Sequence, residues 1–296
     1  MQTRVRRYTY FTKKTNTFFL LILFFTCQNC SNIVFQPSKE TFYDPKTMGF
    51  EYEDIYFKSL DGTMLHGWFF PAGSDIDIKG TVVYFHGNAE NISTHFASLA
   101  WITRYGYNLF IFDYRGYGQS KGSPSQAGVN DDALAALNYA IKNLHQKMKD
   151  KNENVKLIVY GQSIGGNILV RAMDDLENKT EIDAIVLESS FSSYREISKE
   201  KLSLTCITWP FQPLVYVIMS DKYSSQNSIK RLPSVPLLVI HGDNDKIVPI
   251  HHGKKIYDLA NEPKEFWRIK GGRHINAMHI NGGIYREKLV DFLNKL

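Results

Sequence analysis

Apolar residues follow two different patterns along the chain. Between Phe50 and Pro71, apolar and polar positions alternate on both sides of Asp61-Gly62, which is typical of a β-hairpin with a tight turn. From residue 80 onward, short continuous apolar runs alternate with segments of helical spacing, and such runs predict strands that are buried on both faces. These strand candidates are "GTVVYFHGN", "YNLFIFD", "LIVY", "IDAIVLESSF", "VPLLVIHGDND" and "EFWRIKGGRH".

Helical spacing predicts helices over residues 93–104, 131–144 and 283–296, and in the stretch after Ser163. Alternating strands and helices joined by short loops predict an α/β fold, with a mainly parallel, doubly wound sheet and an antiparallel N-terminal hairpin. Residues 192–234 are too long for an ordinary loop and contain Trp209-Pro210-Phe211. We therefore predict that they form a small helical cap over one edge of the sheet.

Length and charge narrow the function classes. The 296 residues are 43% hydrophobic, which suits one large α/β domain or at most two small ones. The formal net charge is +5, but residues 1–14 carry five basic residues and no acid, so the rest of the chain is neutral. A neutral body offers no basic surface to nucleic acid, and we predict no nucleic-acid partner.

The N-terminus has the pattern of a targeting segment. Basic residues precede "FFLLILFFTC", residues 18–27, whose length suits a signal peptide better than a membrane span. Cys27 or Cys30 could be lipidated, although neither follows the small residues typical of that site, and a retained membrane anchor stays open. A buried core helix and a Cys27/Cys30 redox pair are the alternatives, and the pair lacks its usual βαβ context. We predict that residues 1–35 are a signal peptide or anchor and that the protein is extracytoplasmic and associated with a membrane.

The stretch "LIVYGQSIGGNILV", residues 157–170, contains the clearest chemical motif. A strand runs into Gly-x-Ser-x-Gly and then into a helix, which is the pattern of a nucleophile elbow. Gly161 and Gly165 leave room for strand and helix to approach closely around Ser163. The elbow also requires a strained serine backbone. A plain glycine-rich turn is the alternative.

A serine nucleophile needs a base, an acid and donors for an oxyanion. Asp243 and Asp245 follow one predicted strand, and both are open as the acid. His274 follows the last strand directly and is favoured as the base over His279. The order serine, aspartate, histidine is that of an α/β-hydrolase triad.

Two backbone N–H groups are predicted to stabilise the oxyanion. One is that of Ile164, and the other is that of Asn88, with Ala89 as the alternative.

The remaining polar residues at strand ends have simpler interpretations. We predict that His86 and His241 are structural and that Arg115 and Glu188 hold loops in place. His251 and His252 suit the exposed start of a helix, and an adjacent pair without a carboxylate at helical spacing is a poor metal site. We therefore predict neither a metal nor a cofactor.

Four motifs together resemble the serine α/β-hydrolase superfamily, and most of all the Bem46-type hydrolases. They are "VYFHGNAENIS", "FIFDYRGYGQSKGSPS", "YGQSIGGN" and "VIHGDNDKIVP". The resemblance extends from about residue 40 to the C-terminus and implies a hydrolase domain over residues 36–296. It implies that Asp245, in His-Gly-x-x-Asp, is the triad acid and that His274 is the triad base.

The expected function is a serine hydrolase that cleaves carboxylic esters through an acyl-enzyme on Ser163. Its expected partners are a small-molecule or lipid acyl substrate, including thioesters, and a membrane reached through the N-terminal segment. Two alternatives remain open. One is a peptidase or amidase on the same triad, and the other is a non-catalytic binding protein tethered to a surface.

Overall fold

The computed structural model describes residues 34–150 and 152–296. Its central feature is an eight-stranded sheet with the strand order β1-β2-β4-β3-β5-β6-β7-β8. The strands are β1 Glu53–Lys58, β2 Met64–Phe70, β3 Gly80–Phe85, β4 Tyr107–Asp113, β5 Lys156–Gln162, β6 Ala184–Glu188, β7 Leu237–Gly242 and β8 Lys264–Ile269.

Pairing in this sheet follows the two sequence patterns. β1 and β2 form the antiparallel hairpin, with Phe57 opposite Leu65, and β2 also runs antiparallel to β4. All other neighbours are parallel. The predicted fold class is therefore confirmed: a mainly parallel, doubly wound sheet with an antiparallel N-terminal hairpin. The carboxyl ends of the parallel strands share one edge, where such folds bind their ligands.

Helices cover both faces of the sheet. They are α1 Ile92–His95, α2 Gln126–Tyr139, α3 Gln146–Lys149, α4 Ile164–Asp175, α5 Tyr194–Ser203, α6 Val215–Ile218, α7 Ile250–Leu259 and α8 Ile284–Leu293. A π-helical stretch, Ala140–His145, joins α2 to α3. Short 3₁₀ turns occupy Pro45–Met48, Phe96–Ser98, Ala100–Tyr105, Lys179–Glu181, Trp209–Leu214, Ser225–Asn227 and Ile229–Arg231.

The helical stretch predicted at residues 93–104 is present but irregular, because the short helix α1 is followed by the 3₁₀ turns Phe96–Ser98 and Ala100–Tyr105. Thr94 and Thr103 donate their hydroxyls to carbonyl groups three residues earlier, and Trp101 donates its indole N–H to the Ser98 carbonyl. Side-chain donors that bond nearby carbonyls compete with the regular helical ladder. The apolar spacing is helical, but these local hydrogen bonds favour tighter 3₁₀ turns.

Helix α2 begins five residues before the predicted start at residue 131. Ser125 caps it by accepting the Gly128 N–H at 3.1 Å. The sequence did not predict a helix start here, because Gly128 lies in the first turn and glycine is a weak helix former. The structure shows its use: a β-carbon there would lie 2.5 Å from the Arg115 guanidinium carbon.

Side chains on each strand divide between two cores. In β5, Leu157 and Val159 point into the core that α2, α4 and α7 cover, whereas Ile158 and Tyr160 point into the opposite core. Both cores are continuous and apolar, which explains the unbroken apolar run of this strand. Burial on both faces makes the sheet the rigid part of the molecule.

Residues 192–234 contain α5, α6 and several 3₁₀ turns, and we call them the cap segment. The predicted N-terminal segment, including Cys27 and Cys30, lies outside the described residues apart from Val34 and Phe35. Phe35 is buried in the core that contains α2 and α4. Within the part of the chain that the structure describes, no helix is long and apolar enough to cross a membrane.

Candidate active site

Ser163 occupies a sharp turn between β5 and α4. Its backbone angles, φ 56° and ψ −121°, lie in a region that residues other than glycine rarely adopt. A β-carbon on Gly161 would lie 2.4 Å from the Gly166 α-carbon, and one on Gly165 would lie 2.1 Å from the Phe85 carbonyl oxygen. Both glycines are therefore required by close packing, and the turn has the strain that a nucleophile elbow needs.

Three side chains from three strand ends meet in a hydrogen-bonded chain. The Ser163 Oγ lies 3.1 Å from the His274 Nε2. The His274 Nδ1 lies 2.8 Å from the Asp245 Oδ2. With Nδ1 protonated, His274 donates to the carboxylate, and its Nε2 is free to accept the serine proton. These two contacts meet the geometric requirements of a Ser-His-Asp triad.

The local contacts of Asp245 and Asp243 differ. The Asp245 Oδ1 accepts the N–H groups of Ile247 at 2.9 Å and Val248 at 2.8 Å, which leaves Oδ2 for His274. Burial opposes the charged form of Asp245, but His274 and the Val248 N–H outweigh it and lower the pKa of the carboxyl. Asp243 instead accepts from Arg268 and the Gly271 N–H in the neighbouring turn.

The loop that carries His274 is held by β6. The Glu188 Oε1 accepts the Ala277 N–H at 3.2 Å, and the Ser189 Oγ accepts the Ile275 N–H at 3.3 Å. Glu188 therefore holds a loop, as predicted, whereas the role of Ser189 was missed. Its place at the carboxyl end of β6 was the available signal.

His279, the alternative base, does not join the hydrogen-bonded chain of Ser163, His274 and Asp245. Its Nδ1 lies 2.9 Å from the Arg286 Nη2.

The two predicted oxyanion donors line the same cavity as Ser163. The N–H of Ile164 is the first amide of α4, and the first amides of a helix have no intrahelical acceptor. The Asn88 side chain is held by neighbouring residues, since its Oδ1 accepts from the Gln36 N–H and the Tyr117 hydroxyl. Ala89, the alternative donor, does not line the cavity.

An apolar cavity of about 440 Å³ opens beside Ser163. The cap segment supplies most of its wall, through residues such as Tyr194, Leu202 and Val215, and Val34 closes it from the N-terminal side. Sequence reasoning missed Val34 because it lay inside the predicted targeting segment. A larger hollow of about 560 Å³ between Phe57 and Glu177 contains none of the candidate residues. The smaller cavity is therefore the candidate active site, because Ser163 lines it.

The structure gives the other polar residues supporting positions. His86 is fully buried, with its Nδ1 2.8 Å from the Gly87 carbonyl, and burial lowers its pKa well below the usual value. His241 is also fully buried, and its Nε2 lies 2.8 Å from the Val248 carbonyl. The Arg115 guanidinium contacts Asp61 and Asp132, each at 2.8 Å, and so holds the loop after β4.

One group of side chains could hold a metal ion among the described residues. Glu200 from α5 places its carboxylate 2.9 Å from the His251 Nε2 and 3.3 Å from the His252 Nε2, both on α7. The sequence did not show this carboxylate, because it comes from a different helix. These distances are those of direct hydrogen bonds, which join the cap segment to α7.

Relatives of known sequence place this site in a family. The family model described as serine aminopeptidase, S33 matches residues 76–231. The uncharacterized protein YfhR of Escherichia coli K12 is 37% identical over 284 residues, which cover 93% of each chain. Protein bem46 of Schizosaccharomyces pombe is 30% identical over 261 residues, which cover 87% of this chain and 82% of bem46.

A solved structure shares the architecture. The Pyrococcus furiosus esterase Pf2001 superposes with a TM-score of 0.67 at 20% sequence identity, over 88% of this chain and 98% of the esterase. At this identity the likeness concerns the fold alone. The sequence matches and the sheet order agree with the predicted resemblance. The chain therefore belongs to the serine α/β-hydrolase superfamily, as a Bem46-like member, and is an enzyme of the hydrolase type.

Proposed function

We propose that this protein hydrolyses carboxylic esters through an acyl-enzyme formed on Ser163. The observation that carries the proposal is the hydrogen-bonded chain from Ser163 through His274 to Asp245. The strained turn exposes the serine oxygen to the cavity, where an ester carbonyl can approach. A non-catalytic binding protein would have no need of this strain or of the aligned base, so we favour the enzyme over that alternative.

Each residue has a defined step in the mechanism. Ser163 Oγ attacks the ester carbonyl carbon while His274 Nε2 takes the hydroxyl proton. The negative charge moves to the carbonyl oxygen, which the N–H groups of Ile164 and Asn88 stabilise. His274 then gives its proton to the leaving alkoxide, and the alcohol departs. Water repeats the sequence on the acyl-enzyme and releases the carboxylic acid, with Asp245 stabilising the imidazolium in both halves.

The cavity indicates the substrate class. Among the described residues that line it, Lys201 is the single charged one, and the others are mainly aliphatic or aromatic. An aliphatic acyl chain gains roughly 0.8 kcal/mol for each methylene that it buries in such a site. We therefore propose esters of aliphatic acids, including lipid esters and thioesters, as substrates.

A peptidase or amidase is the second candidate, because the matching family model is described as a serine aminopeptidase. An aminopeptidase must bind a charged terminal amine, and a carboxylate is the usual partner for that charge. The described lining residues of the cavity include no Asp or Glu. The ester function thus fits the observed lining better.

We also propose that the N-terminal segment attaches the enzyme to a membrane on the extracytoplasmic side. The basic residues before the apolar run at 18–27, and Cys27 and Cys30 after its core, support this proposal. The mass of the mature N-terminus would tell cleavage, lipidation and a retained anchor apart.

The first test is labelling with a fluorophosphonate probe alongside turnover of a short-chain p-nitrophenyl ester. We expect the wild type to be labelled and active, and Ser163→Ala to lose labelling and on the order of 10⁴-fold in rate. Ser198→Ala is the matched control, since Ser198 lines the same cavity. We expect it to retain both properties.

Two results would contradict the proposal. A folded wild type without labelling or turnover would favour the binding protein. Faster cleavage of an amide than of the ester with the same acyl group would favour the amidase.

A further inference from the structure

We infer that residues 204–218 of the cap segment form a docking surface for a phospholipid bilayer. This bilayer patch would rest on the membrane and admit acyl esters from it to Ser163. The inference rests on the proposed ester function for its substrate, but the docking itself rests on separate observations. They are the exposed apolar side chains, their position at the cavity, and the short tether to the predicted anchor.

Exposed apolar side chains are concentrated in this patch. Ile207 and Val217 are each 78% exposed, and Trp209 is 62% exposed. Leu204, Phe211 and Tyr216 are more than half exposed as well. Scattered apolar residues on a protein surface are ordinary, but so many within one short segment mark an interaction site. Tryptophan and tyrosine among them are typical of a surface that lies at a membrane–water interface.

The bilayer patch also borders the candidate active site. Phe211, Leu214 and Ile218 belong to the patch and line the cavity beside Ser163. An acyl chain that leaves the bilayer through the patch would therefore pass from apolar lipid to an apolar cavity without crossing water. Such a path avoids the cost of exposing the chain to solvent, which is roughly 0.8 kcal/mol for each methylene.

The N-terminal chain points to a bilayer as the occupant. Val34 lines the same cavity, next to the patch. The apolar run at residues 18–27 ends seven residues earlier in the sequence, and seven residues of extended chain span at most about 25 Å. Any membrane held by this run, or by a lipid on Cys27 or Cys30, must therefore lie close to the cavity mouth.

Charges around the patch fit an anionic lipid surface. The Arg195 guanidinium carbon lies 5.8 Å from the centroid of the exposed Tyr216 ring, and the Lys199 Nζ lies 5.9 Å from it. The acidic residues of α5 have partners within the protein, since Glu196 pairs with Lys255 and Glu200 with two histidines. Basic residues beside an apolar surface favour anionic headgroups.

The test uses the full-length chain in vesicles of phosphatidylcholine and phosphatidylglycerol. Trp209 reports the patch directly, because the other three tryptophans are buried in the protein. Emission that depends on Trp209 is obtained by subtracting the spectrum of Trp209→Phe. We expect this emission to shift to shorter wavelength and to fall at least twofold with lipids brominated near the headgroup.

A second measurement follows the delivery of substrate. In Ile207→Glu/Val217→Glu, we expect turnover of an oleoyl ester in vesicles to fall about tenfold, with turnover of soluble p-nitrophenyl butyrate unchanged. Both side chains are exposed, so the substitution leaves the core intact. Ile78→Glu is the matched control, since Ile78 is also exposed but precedes β3 at the opposite edge of the sheet. We expect it to behave as the wild type.

Several outcomes would overturn the inference. Unchanged Trp209 emission in brominated vesicles, together with full turnover by the double variant, would show that the patch does not meet lipid. Trp209 already shielded without lipid would show a different occupant. If the shielding of Trp209 rises with protein concentration, a second copy of the chain covers the patch. If it does not depend on concentration, the chain's own N-terminus covers it. Absent turnover of the soluble ester would refute the proposed function, and Trp209 emission would still decide the docking.

Discussion

The nucleophile turn and the bilayer patch are both rich in apolar and small residues, but they are packed in opposite ways. Around Ser163, strand β5 is buried on both faces, and the glycines at 161 and 165 are in contact with neighbouring backbone. In the patch, most large side chains between residues 204 and 218 are exposed. The candidate catalytic residues thus lie on the densely packed part of the molecule, and the proposed docking surface lies on the loosely packed part.

This difference has a physical basis. A dense interior cannot shift one group without moving its neighbours, so it holds reacting atoms at constant distances. A segment with few buried contacts can change its shape or its partners at a small cost in stability. Substitutions in the two regions should therefore fail differently: near Ser163 they should remove activity or folding, and in the patch they should change substrate preference.

The largest effect is expected at the triad acid. Asp245→Asn keeps the side-chain shape but removes the charge that orients His274, and we expect kcat to fall about 10⁴-fold. Asp243→Asn is the matched control and should stay within a few-fold of the wild type, because Asp243 accepts from Arg268 and the Gly271 N–H, and neither belongs to the chain from Ser163 to Asp245. Steady-state kinetics on a soluble ester would check both. Equal losses in the two variants would be evidence against Asp245 as the acid.

A smaller effect, on folding, is expected in the same rigid region. The β-carbon of Gly165→Ala would lie 2.1 Å from the Phe85 carbonyl oxygen, so strand and helix must separate. We expect a loss of about 4 kcal/mol or more in the free energy of unfolding and a fall of roughly 10 °C in Tm. Gly73→Ala is the control, because the atom nearest to its β-carbon would be the end of the flexible Ile76 side chain, at an ordinary contact distance of 3.5 Å. Thermal unfolding of both proteins measures the difference, and similar Tm values would refute the packing account.

The smallest effect is expected where the cap segment lines the cavity. Phe211→Ala/Leu214→Ala removes apolar contacts with an acyl chain, and we expect kcat/KM for a dodecanoyl ester to fall roughly tenfold. The value for an acetyl ester should stay nearly constant, as should Tm, since both side chains are about half exposed. Leu60→Ala, in the β1–β2 turn, is the exposed control. An equal loss for both esters would place the acyl chain elsewhere.

Local and periodic signals in the sequence predicted much of the molecule. The Asp61-Gly62 turn, the continuous apolar strands and Gly-x-Ser-x-Gly each depend on residues close together in the chain, and the structure places each as expected. The helical stretch at 93–104 is irregular in the structure, and its hydroxyl and indole donors bond carbonyls within the turns. Apolar spacing does not reveal that competition.

Most contacts between distant segments cannot be predicted from such local signals. Glu200 reaches His251 across 51 positions, and Ser189 bonds the N–H of Ile275 across 86. The local sequence around Glu200 or Ser189 does not show which distant residue each side chain contacts. Val34 is a similar case, since its place in the cavity depends on where the chain passes Asn88, whose Nδ2 donates to the Val34 carbonyl at 2.6 Å.

The sequence by itself determined the fold class, the elbow serine and the set of residues from which its partners come, because hydrophobic periodicity and turn chemistry act over a few residues. The family resemblance implied Asp245 as the acid and His274 as the base, and the tertiary structure shows the contacts of His274 with Asp245 and Ser163. Only the tertiary structure decided which apolar side chains of residues 204–218 line a cavity and which face outward. Each of these outcomes depends on how separate segments pack against one another, and packing is a property of the folded chain as a whole.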